Sequence, residues 1–184
     1  MRKIPTIFKR DENNGGKITR EYFVDPASFI GAIATEKVDG TNVRVTIRNG
    51  NCVRLEKRCN PSKLQKAKGI LHPWYVDASQ SPEDKWIQAA LLGTDLRELP
   101  DGEWSGEAVG PNIQGNPLNL GVHKIIFFSL GQCPIIENTP ITYDELKEWL
   151  PKQKSGVGEN CGVEGIVWHK PNGDMMKIKT KDFK

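Results

Sequence analysis

The stretch Glu36–Asn42 places a lysine and a tight turn at the end of an apolar segment. The apolar run 29–34 leads to Lys37, and Asp39-Gly40 follows, a pair that is typical of tight turns. A strand ending in this way would hold the Lys37 amine at a fixed point at the edge of a sheet. Such an amine is a nucleophile when its surroundings favour its neutral form. Taken alone, these residues more often form an ordinary hairpin with a flanking lysine.

Carboxylates and cations further along the chain could serve the same chemistry. Glu107 lies in a glycine-rich stretch, where its carboxylate could approach a ligand, although a surface turn explains it equally well. Glu164 stands where an apolar strand begins. Lys177 and Lys179 share one face of a strand because side chains alternate, and a solvated edge strand is the alternative. Arg58 by itself is typical of a surface charge.

The elements that must hold Lys37 can be read from hydrophobic alternation. Apolar residues alternate over 43–48, Asn49-Gly50 favours a two-residue turn, and 52–55 returns as the second strand. Because this hairpin begins directly after the lysine motif, we expect Lys37 to belong to a sheet.

Two helices are predicted from their capping residues. The first runs over 81–92, with Ser81 as N-cap and Pro82 in the first turn. The second begins at Thr142, where Glu145 would complete a capping box, and runs to about Leu150.

The remaining apolar segments predict strands. The segment 123–130 reads as a buried strand, and 165–170 with 175–180 as a hairpin around 171–174. There is no repeat and no low-complexity linker. The sequence therefore predicts a single α+β domain over residues 1–184, mostly antiparallel sheet with flanking helices.

Composition excludes several classes of protein. The chain has 184 residues, of which 37% are apolar, and a mean hydropathy of −0.52, so neither a disordered nor a membrane protein is expected. Four cysteines lack metal-site spacing, which predicts reduced thiols and a cytoplasmic location. The formal net charge of +3 permits binding to polyanions without requiring it.

The motifs taken in order resemble the covalent nucleotidyltransferase superfamily, which comprises ATP-dependent DNA ligases, RNA ligases and mRNA capping guanylyltransferases. The resemblance covers about residues 35–182, and the nick-sealing RNA ligases of phages and RNA-editing systems are the most similar group. It is carried by Glu36-Lys37-x-Asp39-Gly40-Thr41-Asn42, Lys57-Arg58, Gly106-Glu107-Ala108-x-Gly110-Pro111-x-Ile113-Gln114, Phe127-Phe128, Glu164-Gly165 and Lys177-Ile178-Lys179.

This resemblance implies a fold and a reaction. The fold would be a nucleotidyltransferase domain, the ATP-grasp-like adenylation domain of ligases, here without a C-terminal OB or helical domain. The Lys37 amine would attack the α-phosphate of ATP and release pyrophosphate. AMP would then pass to the 5′-phosphate of a nucleic acid, and a 3′-hydroxyl would attack that end and expel AMP.

The resemblance also implies residue roles. Lys37, Lys177 and Lys179 would be catalytic, with the latter two stabilising the α-phosphate. Glu164 and Glu107 would bind Mg²⁺ or Mn²⁺, which prefer oxygen ligands. The adenine would lie against Phe128, with Phe127 buried behind the sheet, and the 5′-phosphate against Asn42 and Arg58. The full nucleotide-binding set comprises Glu36, Lys37, Val38, Asn42, Arg58, Glu107, Phe128, Glu164, Lys177 and Lys179.

Several alternatives stay open at this point. A DNA ligase is one, because Asp39 stands where the RNA ligases often have histidine. An adenylyltransferase core that needs a partner protein or domain is another. A guanylyltransferase and a non-catalytic nucleotide- or nucleic-acid-binding module are the remaining two. The expected partner is RNA or a nicked duplex with 5′-phosphate and 3′-hydroxyl ends, and no membrane is involved.

Overall fold

The computed structural model describes residues 3–79, 81–97 and 99–184, within which the chain forms ten strands and three α-helices. The strands are β1 Phe8–Asp11, β2 Lys17–Tyr22, β3 Ile33–Glu36, β4 Thr41–Arg48, β5 Asn51–Cys59, β6 Trp74–Asp77, β7 Gly102–Val109, β8 Lys124–Phe127, β9 Gly165–His169 and β10 Met175–Lys179. The helices are α1 Lys63–Ala67, α2 Lys85–Leu92 and α3 Tyr143–Trp149. Among the described residues, no helix combines the length and the apolar character that a membrane crossing requires.

The chain folds as two compact units. One, called here the Lys37 unit, comprises Ile4–Val38 and Cys133–Lys184, and the other, the Asn42 unit, contains Asp39–Gln132. All strands of the three sheets pair in antiparallel fashion, which confirms the expected α+β class with mostly antiparallel sheet. The expectation of a single domain over 1–184 stays a prediction.

The Lys37 unit is built on a three-stranded sheet in the order β10-β9-β3, with β1 and β2 as a separate hairpin. Because side chains alternate along each strand, Ile166, Trp168 and Ile178 are buried in the core of the unit. Lys177 and Lys179 lie on the opposite face and are half-buried. The hairpin predicted from the sequence is therefore confirmed, and it separates core residues from the two lysines.

The Asn42 unit is built on a five-stranded sheet in the order β6-β5-β4-β7-β8. The predicted turn is present: Asn49 and Gly50 have φ of 50° and 72°, the left-handed conformation that such two-residue turns require. Val43, Val45 and Ile47 are fully buried on one face of β4 and pack in one core with Ile87 and Ala90 of α2. Asn42 and Arg44 therefore lie on the other face of the sheet.

Several predicted element ends differ from the observed ones, among them the end of β5, which is Cys59 instead of residue 55. Helix α2 begins at Lys85 instead of Ser81, because 81–84 forms a turn in which the Asp84 carboxylate accepts hydrogen bonds from Lys57 and Ser79. Strand β8 ends at Phe127, and 128–130 forms a 3₁₀ turn. Short polar contacts of this kind leave no signature in hydrophobic periodicity.

Helix α3 occupies Tyr143–Trp149, as the sequence predicts, with Thr142 as N-cap. The capping box is incomplete. The Thr142 hydroxyl donates to the Glu145 carboxylate at 2.5 Å and makes no cap bond to the backbone. The hydrogen bond between the two side chains nevertheless brings the predicted pair together at the start of the helix.

Candidate active site

Three of the predicted site residues meet in the Lys37 unit. The Nζ atoms of Lys37 and Lys179 donate to different oxygens of the Glu164 carboxylate, Lys37 to Oε2 and Lys179 to Oε1, the latter at 2.5 Å. The exposed fraction of the side chain is 20% for Lys37, 21% for Lys179 and 11% for Glu164. All three are therefore largely shielded from water, but a ligand can still reach them. One carboxylate is thus shared between two ammonium groups.

The backbone around Gly165 fixes this cluster. Gly165 lies opposite Lys179 in the pairing of β9 with β10, and its carbonyl accepts the backbone N–H of Lys37 at 2.9 Å. The Glu164 carbonyl accepts the backbone N–H of Thr180 at 2.8 Å. A Cβ atom at position 165 would overlap the Ile178 carbonyl and approach the Lys179 Cα to 2.8 Å. Glycine therefore allows the strands to close around the site.

The Glu164 carboxylate is held in its charged form. Burial by itself raises its pKa, but the nearby Lys37 and Lys179 ammonium groups outweigh this effect and hold the pKa below the ordinary value of 4.5. The ion pairs therefore contribute to folding stability most fully where the carboxyl is ionised in both the folded and the unfolded chain, which is above about pH 4.5.

We expect the stabilising effect of Glu164 to depend on pH in a defined direction. Glu164→Gln should lower the free energy of unfolding by about 1–3 kcal/mol at pH 7, because the amide cannot balance two ammonium groups. The difference from wild type should shrink as pH falls below 4.5 through the lowered pKa of the folded state. Urea unfolding of both proteins between pH 7 and pH 3 measures this, and a difference independent of pH would contradict it.

Lys177 lies two residues before Lys179 on the same face of β10. Residues near the N-terminus of the chain fix its backbone. The Lys177 N–H donates to the Pro5 carbonyl, and the Lys177 carbonyl accepts from the Ile7 N–H, both at 2.9 Å. The main chain therefore presents Lys177 and Lys179 together. The proposed contact of Lys177 with phosphate stays a prediction.

Glu36 and Val38, the two neighbours of Lys37 in the chain, are both buried. Glu36 is 2% exposed, and its two carboxylate oxygens accept from the Ser155 hydroxyl at 2.5 Å and the Gly156 N–H at 2.8 Å. Val38 is 3% exposed. The Glu36 side chain thus anchors residues 155–156 to the strand that carries Lys37. Its expected part in nucleotide binding, and that of Val38, stay predictions.

A second group of predicted residues meets in the Asn42 unit. Asn42 lies opposite Glu107 in the pairing of β4 with β7, and both are buried. The Asn42 amide nitrogen donates to the Gly106 carbonyl at 3.2 Å and to Glu107 Oε1 at 3.5 Å, while its Oδ1 accepts from the Tyr75 hydroxyl at 2.8 Å. Both ends of the amide are therefore engaged, which fixes its orientation.

Tyr75 was not found by sequence reasoning, although it contacts Asn42 directly. The Arg44 guanidinium lies 4.5 Å from the centre of its ring, and Arg58 lies opposite Tyr75 in the pairing of β5 with β6. The Arg58 Nε is buried and has no hydrogen-bond partner among the described residues. A buried donor without an acceptor is costly, so this arrangement suits an anionic ligand at Arg58.

We expect Tyr75→Phe to destabilise the protein by about 1–3 kcal/mol, because it leaves the buried Asn42 Oδ1 without its donor. Tyr143→Phe is the matched control, since the Tyr143 hydroxyl makes no hydrogen bond within the described part of the chain. Urea unfolding measures both variants. Equal stability of the two would mean that the Tyr75 hydroxyl does not hold Asn42.

The two phenylalanines point in different directions, as the sequence predicts. Phe127 is fully buried in the core, whereas Phe128 is 40% exposed and opens the 3₁₀ turn. An exposed aromatic face is available to a flat ring such as adenine. That contact stays a prediction, because no ligand defines it.

The carboxylates offered to a metal ion are few. Within the described residues there is no group of three or more His, Cys, Asp or Glu side chains that could hold a metal. Glu164 lies in the Lys37 unit and Glu107 in the Asn42 unit. Their expected part in binding Mg²⁺ or Mn²⁺, which prefer oxygen ligands, stays a prediction.

Comparison with solved structures defines the class of fold. The chain is similar to Naegleria gruberi RNA ligase. A mutant of that ligase solved with AMP and Mn has a TM-score of 0.55 and 16% sequence identity, and the match covers 97% of this chain and 60% of that one. A mutant with ATP and Mn gives a TM-score of 0.54 at 16% identity, covering 100% of this chain and 63% of that one. The form solved with PPi has a TM-score of 0.51 and 18% sequence identity. The match covers 83% of this chain and 50% of that one. The fold is that of RNA ligases, which confirms the expected nucleotidyltransferase fold.

Sequence comparison then identifies the family. The family model of RNA ligase 1 matches residues 83–183, and this chain belongs to that family. Curated relatives include RNA ligase 1 of Rattus norvegicus, 24% identical over 83% of this chain and 67% of its own length. RNA ligase 1 of Danio rerio is 30% identical over 50% of this chain and 27% of its own length. The chain spans about two thirds of the rat relative and half of the Naegleria ligase solved with PPi.

Proposed function

We propose that this chain is an ATP-dependent RNA ligase that carries AMP on Lys37. The observation that supports it is the shielded cluster of Lys37, Glu164 and Lys179, found in a chain with an RNA ligase fold. The Lys37 Nζ attacks the α-phosphorus of ATP, and the bond to pyrophosphate breaks. An oxygen of the RNA 5′-phosphate then attacks the α-phosphorus, and the bond to the Lys37 Nζ breaks, which restores the free amine. Finally a 3′-hydroxyl attacks the phosphorus of the RNA 5′-phosphate, and AMP leaves.

The lysine cluster suits the first of these steps. Glu164 holds the side chains of Lys37 and Lys179 in place before nucleotide binds. The phosphates of ATP then offer Lys179 and Lys177 stronger anionic partners, and these two cations stabilise the charge that develops at the α-phosphate. The Lys37 amine attacks only after it has lost its proton. A bound Mg²⁺ or Mn²⁺, with Glu164 and Glu107 as its proposed protein ligands, would neutralise phosphate charge.

The Asn42 unit supplies the proposed contacts to the RNA end and to the base. Arg58 binds the 5′-phosphate, a role that its buried and unused Nε supports, because guanidinium matches phosphate geometry. Asn42 is on β4 and Arg58 on the neighbouring strand β5. The orientation of the Asn42 amide is fixed by its hydrogen bond with Tyr75. Phe128 stacks against adenine. RNA with 5′-phosphate and 3′-hydroxyl ends is therefore the proposed substrate.

Labelling with ATP tests this proposal directly. The purified chain, incubated with α-³²P-ATP and Mg²⁺, should acquire a covalent label that survives alkali and is lost in acid, as a phosphoramidate does. GTP labelled in the same position should give none, which separates this activity from a guanylyltransferase. A panel of nicked RNA, DNA and hybrid duplexes then identifies the strand that is joined. Absence of any label from ATP would overturn the proposal.

An adenylyltransferase core that acts with a partner protein or domain is the second candidate. Such a core forms the lysyl adduct and adenylates RNA 5′ ends but seals poorly. Gel analysis of adenylated and joined RNA separates the two candidates, because efficient sealing by the purified chain excludes the second.

We also propose a cytoplasmic location. Cys52, Cys59 and Cys161 have free thiols. Free thiols are the ordinary state in a reducing compartment. Fractionation of cells that express the tagged full-length protein would test this placement.

A further inference from the structure

The connection between β5 and β6 is unusually exposed. This segment, residues 60–73, is called here the basic connection. Pro61 and Pro73 are buried and anchor its two ends, and every residue between them is exposed except Gln65, which is half-buried. Helix α1 lies within it. A segment of this length that packs so little of itself contributes little to the core, so its composition calls for another explanation.

Charge is concentrated in this part of the chain. Residues 57–76 contain five lysines and arginines and no acid, whereas the whole chain carries a net charge of +3, so the remainder is net negative. Lys57 is paired with Asp84 at 2.5 Å. Lys63, Lys66 and Lys68 have no ion-pair partner within the described ranges. Their positive charge therefore faces solvent.

Local hydrogen bonds hold these lysines in a defined arrangement. Ser62 and Gln65 form a complete capping box, with the Gln65 N–H donating to the Ser62 hydroxyl at 3.2 Å and the Ser62 N–H to Gln65 Oε1 at 2.9 Å. Lys63 and Lys66 are three residues apart and so lie on one side of α1. Lys68 follows at the C-cap. The cations are thus presented by an ordered turn.

The basic connection adjoins the strands that carry Arg58 and Tyr75. It joins Cys59 to Trp74, which pair with each other, and Arg58 and Tyr75 form the next pair along the strands. It also exposes apolar side chains, with Leu64 at 68% and Leu71 at 65%. Exposed apolar groups beside unpaired cations suit a polymer that offers both phosphates and sugar or base faces.

We propose that the basic connection binds the phosphate backbone of the RNA strand, with Lys63, Lys66 and Lys68 as the contacts. This inference rests on the proposed function, since it assigns part of the substrate surface of that enzyme. An acidic membrane surface is the rival partner. It is less well matched, because α1 spans little more than one turn and cannot present a long apolar stripe.

Binding of RNA by a charge variant tests the inference. The triple variant Lys63→Gln, Lys66→Gln, Lys68→Gln should bind a 5′-hydroxyl single-stranded RNA roughly ten- to a hundredfold more weakly than wild type at about 0.1 M salt. The slope of log K against log salt should fall by about 2, which corresponds to three lost phosphate contacts. The control Lys17→Gln, Lys147→Gln, Lys152→Gln removes the same charge from three exposed lysines of the Lys37 unit and should bind RNA nearly as wild type does.

Three further measurements complete the test. The corresponding triple arginine variant should restore binding, because charge is what the phosphates contact. Lysyl-AMP formation should be unchanged in the glutamine variant. Because the RNA carries no 5′-phosphate, it cannot be joined, and the binding assay gives a result whether or not the chain is a ligase. Equal RNA binding by wild type and the glutamine variant would overturn the inference. Loss of binding to phosphatidylserine vesicles, with RNA binding intact, would overturn it in favour of a membrane surface.

Discussion

Lys37→Arg is expected to form no covalent adduct with AMP, a loss on the order of 10⁴-fold or more, which is the scale expected when an enzyme loses its nucleophile. Arginine keeps the positive charge that pairs with Glu164, so the cluster around the carboxylate persists. Its guanidinium cannot be deprotonated in a protein, however, and so cannot attack the α-phosphate. The measurement is transfer of label from α-³²P-ATP to the purified protein.

The matched control is Lys154→Arg, an exposed lysine of the Lys37 unit outside the cluster, which should label as wild type does. Mass spectrometry of the digested wild-type adduct should find AMP on Lys37. Labelling of Lys37→Arg at the wild-type level, or AMP on Lys177 or Lys179 in the wild type, would assign the nucleophile elsewhere.

The Lys37–Glu164–Lys179 arrangement explains how two lysines can stand close together in a partly buried site. Two ammonium groups repel each other, and burial adds the cost of losing water. The Glu164 carboxylate offsets both effects while no phosphate is present. In the proposed reaction, the phosphates of ATP would take the place of Glu164 as the anionic partner of the lysines.

The parts of the site that were predicted from sequence depend on neighbours in the chain. Lys37 follows an apolar strand and precedes a turn, and Asn49-Gly50 closes the next hairpin with positive φ at both residues. The β10 lysines share a face because strands alternate. In each case the position of a side chain follows from its spacing to residues nearby, and spacing can be read from sequence.

The parts that were missed depend on partners far along the chain. Glu36 is anchored by Ser155, which lies 119 residues away, and Asn42 by Tyr75, 33 residues away. Hydrophobic periodicity carries no information about which distant polar groups meet. The same limit applies to Lys63, Lys66 and Lys68, whose exposure on the connection next to the strands of Arg58 and Tyr75 is visible only in the structure.

Gly165→Ala is expected to damage the site although it removes no functional group. The added Cβ would overlap the Ile178 carbonyl and lie 2.8 Å from the Lys179 Cα, both backbone atoms, so β9 and β10 must separate. Overpacking of this kind typically costs about 1–3 kcal/mol. The Gly165 carbonyl accepts the backbone N–H of Lys37 at 2.9 Å, and Gly165 lies opposite Lys179 in the sheet. Both lysines should therefore move relative to Glu164. Adduct formation with ATP should fall at least about tenfold, because displacements near 1 Å can cost on the order of 100-fold.

Comparison with another glycine separates this effect from a general cost of alanine. Gly121→Ala is the control, because a Cβ there meets no atom within 4 Å, and it should keep wild-type stability and labelling. Labelling of Gly165→Ala is measured well below its melting temperature, so that unfolded protein does not account for the loss. Unchanged labelling and stability would mean that the strands yield without moving the lysines. A loss confined to position 165 would show that close approach of these two strands sets the geometry in which Lys37 reacts.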